Sequence, residues 1–169
     1  MAKTALENKL GKIPKKGTLI IVDFSQPSQT RRFEVINLGS GSVEFSGRVA
    51  HGKNSGCVYA VNFSNDIDSF QSSIGLFEVS EIFDGKHGPS IRLEGLDPSL
   101  NGNAEIRGII IHSAKYVSLT SILANWKEMF RLGRSEGCFV ISEADIKKMI
   151  SSITEPAYLY AYHDELKPL

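Results

Sequence analysis

Two side chains in this sequence have the chemistry of a nucleophile and its base. Cys138 follows the run Gly133-Arg134-Ser135-Glu136-Gly137, and His112 closes the apolar run Gly108-Ile109-Ile110-Ile111. A cysteine attacks as the thiolate, and a nearby imidazole can take its proton. Gly137 lets the backbone approach closely beside the thiol, and the Gly137 and Cys138 amides are candidate donors to a developing oxyanion. Both residues also have a structural reading. Cysteine is among the most buried residue types, and a histidine can simply cap a buried strand. The two lie 26 positions apart, so only the fold can bring them together.

Other residues fall around this pair. Arg134, Arg107 and Arg92 are candidates for gripping carboxylates, which suit the planar guanidinium fork, or for structural ion pairs. Tyr116 and Trp126 would line a groove or pack in the core. His51 and His87 each precede a glycine and read as turn residues. His51, Cys57, His87 and His112 lack the spacing of a metal site. Cys57 and Cys138 could pair with each other; a reactive thiol plus a buried structural one is the more economical reading.

The elements that must position these groups are mostly strands. Residues 4 to 12 predict a short helix closed by Gly11 and Pro14. Thr18 to Phe24 is β-rich, and Arg32 to Leu38 alternates polar and apolar as a half-buried strand does. Gly39-Ser40-Gly41-Ser42 turns it into a strand over Val43 to Val49, a hairpin. Residues 50 to 73 are rich in Ser, Asn, Gly and Asp and predict a long loop, a common location for function. Strands follow at Gly75 to Phe83, Ser90 to Leu96 and Arg107 to His112, separated by turns at Asp84-Gly85, His87-Gly88-Pro89 and Asp97-Pro98. Leu119 to Leu132 has the spacing of a helix stopped by Gly133, and Ser142-Glu143-Ala144-Asp145 starts another. Tyr158 to Tyr162 is a final strand. These elements predict a mainly β fold, a sandwich or barrel-like arrangement of mixed sheets with a few peripheral α-helices. An N-terminal arm or short helix occupies 1–17 and a single domain 18–169.

Composition narrows the partners. Nineteen basic residues balance nineteen acidic ones, so no overall field draws the chain to nucleic acid or an anionic membrane. The cluster Lys9, Lys12, Lys15, Lys16 reads as a solvated tail. No apolar run is long enough to span a bilayer, and the first residues lack a signal-peptide core.

The strings Asn103-x-x-x-Arg107-Gly108-Ile109-x-Ile111-His112-Ser113-Ala114-x-Tyr116 and Gly133-Arg134-Ser135-x-Gly137-Cys138 resemble the catalytic core of the murein L,D-transpeptidases, the YkuD-type cysteine enzymes of bacterial cell walls. Ala50-His51-Gly52, Phe63-Ser64-Asn65, Ser72 to Phe77 and His87 to Leu93 resemble one branch of that family, and the likeness runs over residues 18 to 162. The resemblance implies a YkuD-like fold and an acyl transfer on peptidoglycan stem peptides. Cys138 is then the nucleophile, His112 the base, the Ser113 carbonyl the group that orients it, and Ser135 the serine three positions before the cysteine. It implies no metal or organic cofactor, carbapenem inhibitors as ligands, and a periplasmic or otherwise extracytoplasmic location with a leader not included in this sequence. The thioester would pass to an acceptor amine as a 3-3 cross-link. Alternatives are release to water as an L,D-carboxypeptidase, a weakly active wall-binding module, and a cysteine peptidase with another substrate. The chain departs from the family in three ways. Glu136 stands where many members have a second histidine, Phe139 replaces a proline common in this branch, and the His-to-Cys separation is longer.

Overall fold

The computed structural model describes residues 1–124, 132–164 and 166. Among these are ten strands: β1 (Thr18–Asp23), β2 (Phe33–Asn37), β3 (Val43–Gly47), β4 (His51–Gly52), β5 (Gly75–Gly85), β6 (Gly88–Gly95), β7 (Ile110–Ser113), β8 (Gly133–Ser135), β9 (Phe139–Ile141) and β10 (Ala157–Tyr162). Three helices accompany them: α1 (Ala2–Leu10), α2 (Leu119–Ala124) and α3 (Glu143–Ser152). Eight strands form one mixed sheet in the order β3-β2-β1-β10-β5-β6-β7-β9, nearly closed into a barrel, while β4 and β8 form a small second sheet. The expected mainly β architecture of mixed sheets with a few peripheral helices is therefore present. Described helices of this chain are all too short to cross a membrane.

Alternation along the strands explains both layers of packing. On β1, Ile20 and Val22 enter the main core while Leu19 faces the opposite side. On β10, Leu159 and Ala161 face the main core, and Tyr158 and Tyr160 face outward with Leu19. Strands covered on both faces read as continuous apolar runs, which is the appearance of Leu19-Ile20-Ile21-Val22. One cover is α3, which lays Ile146 and Met149 on the main core. Its Ser142 hydroxyl accepts from the Asp145 amide at 3.1 Å, an N-cap. The other cover is α1, whose Leu6 is fully buried against Leu19, Leu76 and Tyr160. The N-terminal segment is thus a docked helix rather than a solvated tail, although Lys9, Lys12, Lys15 and Lys16 are exposed as expected.

The sequence pattern places the large strands well and the small ones poorly. The β2–β3 and β5–β6 hairpins stand where the turn residues put them. The strand expected over Arg107 to His112 begins only at Ile110, because residues 101–108 are a run of turns ending at Gly108. Strands β4, β8 and β9 have two or three residues each, too few to show a period. Of the helix expected over Leu119 to Leu132, Leu119–Ala124 is present; Trp126 and its neighbours lie outside the described residues.

His51 is not an exposed turn residue but a fully buried member of β4. Its Nδ1 stands 2.8 Å from Nη2 of Arg32, which is itself buried. An arginine nitrogen only donates, so Nδ1 accepts and the ring proton sits on Nε2, 3.0 Å from the Gly56 carbonyl. Arg32 also donates to the carbonyls of Val49 and Gln26. Burial lowers Arg32 to about 9, which leaves it protonated at neutral pH. Burial first, and the adjacent guanidinium second, push His51 down to about 4.

This coupling has a definite sign. The unfolded chain binds a proton at His51 near 6.5 and the folded chain only near 4. Stability from neutral His51 is therefore complete above the unfolded value and is lost as pH falls toward the folded one. The loss is at most about 3 kcal/mol. A histidine NMR titration should place the His51 midpoint near 4, with urea stability falling through the same window. A midpoint close to the ordinary 6.5 would show that Arg32 does not hold the ring neutral.

Candidate active site

Strands β7 and β9 run parallel, with Ile111 opposite Phe139 and His112 opposite Val140. Ile111 and Phe139 both point into the main core. Side chains one residue away on each strand must then share the other face. This face carries His112 on β7, and Cys138 immediately before β9 in line with Ile110. The register thus puts Cys138 and His112 on the same face of the β7–β9 pair.

Phe139 is the anchor of the cysteine. It is fully buried, stacked on Phe24 at 5.8 Å and edge-on to Phe77 at 5.6 Å. The residue that replaces a proline after the cysteine thus ties the thiol's backbone to the core. On the thiol side, Cys138 meets a second cluster around Val117, Leu132 and Val140, with Tyr116 at its border. Cys138 Sγ lies 3.5 Å from the Gly108 carbonyl. Both cysteines are free, and Cys57 is exposed, so it is not the buried structural thiol that was expected.

The hexapeptide from Gly133 to Cys138 is a short strand followed by a bend. Gly133 pairs with His51, and a Cβ there would sit 1.9 Å from the Gly56 carbonyl oxygen. Its role is close approach to this backbone. Gly137 has φ +115, and a Cβ would stand 2.8 Å from the Gln71 carbonyl oxygen. Ser135 braces the turn between them. Its hydroxyl donates to the Cys138 carbonyl at 2.8 Å and accepts from the Gly137 amide at 3.2 Å. The Gly137 amide is therefore already engaged, which weakens its candidacy as an oxyanion donor.

His112 is oriented from its Nδ1 edge. The Ser113 carbonyl oxygen lies 3.1 Å from Nδ1 and accepts its proton, so Nε2 is the lone-pair nitrogen. Burial first, opposed by that hydrogen bond and reinforced by His87 and Lys86, holds His112 below its ordinary value. Burial also raises the Cys138 thiol above 9, against the Ile110 amide and Arg107, which pull it down. Glu136 pushes the thiol up, and Arg107 and Lys86 oppose it. Glu136 is further balanced by Lys53, whose Nζ lies 3.2 Å away. At neutral pH the resting pair is a thiol and a neutral imidazole.

The arginines separate into different tasks. Arg107 donates through Nη1 to the Ser64 carbonyl and Ser73 hydroxyl, and through Nη2 to the Ser69 hydroxyl and Gln71 carbonyl. Four bonds to one loop make it a clasp for residues 64–73, and its terminal nitrogens are not presented as an open carboxylate fork. Arg92 pairs with Glu81 at 3.0 Å, the structural alternative. Arg134 lies over the Tyr116 ring at 5.8 Å, and burial first pushes the Tyr116 hydroxyl up to about 12. Sequence reasoning missed His87. It sits in a turn, as expected, but its ring is stacked on His112 with centroids 4.2 Å apart. Only the β5–β6–β7 pairing makes that contact, so no local pattern could signal it.

Two outcomes follow from this geometry. Gly137→Ala puts a side chain at a positive φ and should cost about 1–3 kcal/mol in urea unfolding, together with altered alkylation of Cys138. Alkylation of the native thiol by iodoacetamide should keep rising as pH passes 9, because the folded thiol titrates above that value. A rate plateau already reached at neutral pH would instead reveal a preformed thiolate.

Residues 1–162 match the family model for the L,D-transpeptidase catalytic domain. No curated protein matches the chain. Among solved structures, an L,D-transpeptidase from Stackebrandtia nassauensis aligns with a TM-score of 0.52 at 13% identity, over 98% of this chain and 65% of that one. Residues 123–326 of an L,D-transpeptidase from Xylanimonas cellulosilytica align with 0.51 at 14% identity, over 95% and 78%. The L,D-transpeptidase LdtMt1, solved in complex with imipenem, aligns with 0.50 at 15% identity, over 87% and 59%. At these identities the likeness is one of fold, and the chain spans less than two thirds of the first and third of these proteins. The family match over nearly the whole length carries the assignment: this chain belongs to the L,D-transpeptidase catalytic domain family.

Proposed function

We propose that this domain is a peptidoglycan L,D-transpeptidase with Cys138 as nucleophile and His112 as base. The observation that carries the reading is the parallel β7–β9 pairing, which sets both side chains on one sheet face. The donor is a stem tetrapeptide ending in D-alanine. Substrate arrives at a neutral pair, and His112 Nε2 takes the thiol proton as sulfur attacks the carbonyl before the terminal D-alanine. Negative charge develops on the carbonyl oxygen, where the Cys138 amide is the donor we assign first. Collapse of the tetrahedral species breaks the C–N bond, and His112 returns its proton to the leaving amine. A thioester on Cys138 remains. An acceptor amine attacks it and forms the 3-3 cross-link; water in its place gives L,D-carboxypeptidase activity.

The surroundings fit these roles. A neutral His112 is competent to accept a proton at neutral pH, since its value lies below 6.5. Ser113 fixes the tautomer that leaves Nε2 as acceptor. Ser135 and Gly137 hold the turn that presents the thiol. Arg134 and Tyr116, with the guanidinium 5.8 Å over the ring, are the substrate-side residues we favour, and Arg107 clasps its loop. Such a reaction belongs outside the cytoplasmic membrane. The complex of the structural neighbour LdtMt1 with imipenem supports β-lactams as ligands.

The test is direct. Native protein incubated with a tetrapeptide stem should release D-alanine, and Cys138→Ala should lower that rate by at least about 10³-fold, the usual scale for loss of an essential nucleophile. A carbapenem should add its mass to native protein and not to the alanine variant. Binding to isolated sacculi without any change in muropeptide masses would favour a wall-binding module, and retained activity in Cys138→Ala would remove the assignment altogether.

A further inference from the structure

The base proposed above has a neighbour on an element that the sequence does not connect to it. His87 and Lys86 occupy the tip of the β5–β6 hairpin, whose last pair is Gly85 opposite Gly88. Strand β6 also pairs with β7, with Ile91 opposite Ile111, a register that sets Ser90 beside His112. The small side chain of Ser90 turns back to the Gly88 carbonyl at 2.9 Å, and Gly88 takes φ +76. The chain just before Ser90 therefore folds over the end of β7. His87 ends with its ring on the face of His112, at 4.2 Å and 18° between planes.

We propose that His87 is a positioning residue for the reaction, its ring holding His112 face-on and standing in for the second imidazole that Glu136 displaces from the β8–β9 turn. The proposal rests on His112 being the base. Two contacts would then fix that ring: the Ser113 carbonyl at its edge and His87 on its face. Together they leave Nε2 as the working nitrogen. Stacked imidazoles also oppose double protonation, since like charges at this distance disfavour each other. A positive charge on His87 thus disfavours one on His112, and the stack shields part of its face from water.

Charged groups reach this site from several elements. The hairpin tip brings His87 and Lys86, and both disfavour a proton on His112. The β8–β9 turn brings Glu136 and Cys138, and the turn before β7 brings Arg107. After β7 come Lys115 and Tyr116, with Arg134 over the tyrosine ring. Of these, His87 is the one whose ring stacks on His112.

The experiment compares native protein, His87→Ala and His87→Phe. Phenylalanine keeps a flat cover but cannot carry charge. The first readout is the NMR titration of His112, which requires no turnover. His112 should titrate at higher pH in His87→Ala than in native protein, with His87→Phe between them. The second is the pH profile of kcat/KM for D-alanine release. Its acid limb should move to higher pH in the same order, and the plateau should fall about 10–100-fold in His87→Ala, the scale of a small misplacement of a reacting group. His87→Phe should recover most of that loss. An unchanged His112 titration in His87→Ala overturns the proposal, as does an equal plateau loss in both variants with the acid limb unmoved. If Cys138→Ala retains D-alanine release, the catalytic reading fails by itself, and the His112 titration still decides whether His87 controls that ring.

Discussion

The parallel pairing of β7 with β9 is the constraint on which the site depends. Parallel neighbours cannot be joined by a tight turn, so the chain must leave the sheet and return between them. The crossover includes α2 and β8, which is why the histidine and cysteine are far apart in sequence. Once the strands are in register, Ile111 and Phe139 face the main core and fix the opposite face for His112 and Cys138. The packing of Phe139 between Phe24 and Phe77 locks that register. A slip of one residue would turn the thiol into the core.

Around this pair the fold uses buried polar contacts to hold irregular backbone. Arg107 clasps residues 64–73 by four bonds. Ser72 accepts from the Gly52 amide at 2.9 Å, and its own amide donates to Ser55. Arg32 supports the Val49 and Gln26 carbonyls and His51, which in turn donates to Gly56. Each contact satisfies a group that burial would otherwise leave unpaired at substantial cost. The loop region therefore stands as a rigid wall beside β8, close enough that Gly133 and Gly137 admit no side chain without movement.

The electrostatics of the pair follow from its burial. A thiol pushed up and an imidazole pushed down do not form an ion pair at rest. The family reading then has proton transfer coupled to attack, with His112 as acceptor at the moment the carbonyl is in place. Glu136 has Lys53 as its partner, and Arg107 and Lys86 oppose its field at the thiol.

The sequence by itself determined the mainly β architecture, because long strands with two-residue alternation and glycine-rich turns leave little other choice. It also singled out Cys138 and His112 by residue type, and the family by the order of its short strings. Those signals are local, and local signals survive in one dimension. Tertiary structure decided the rest. It made His51 a buried partner of Arg32, Cys57 an exposed thiol, Arg107 a loop clasp and Phe139 a core anchor. It brought His87 onto His112 across 25 residues of chain. Each of these depends on which strand lies beside which, and pairing partners distant in sequence leave no mark on the periodicity of either segment.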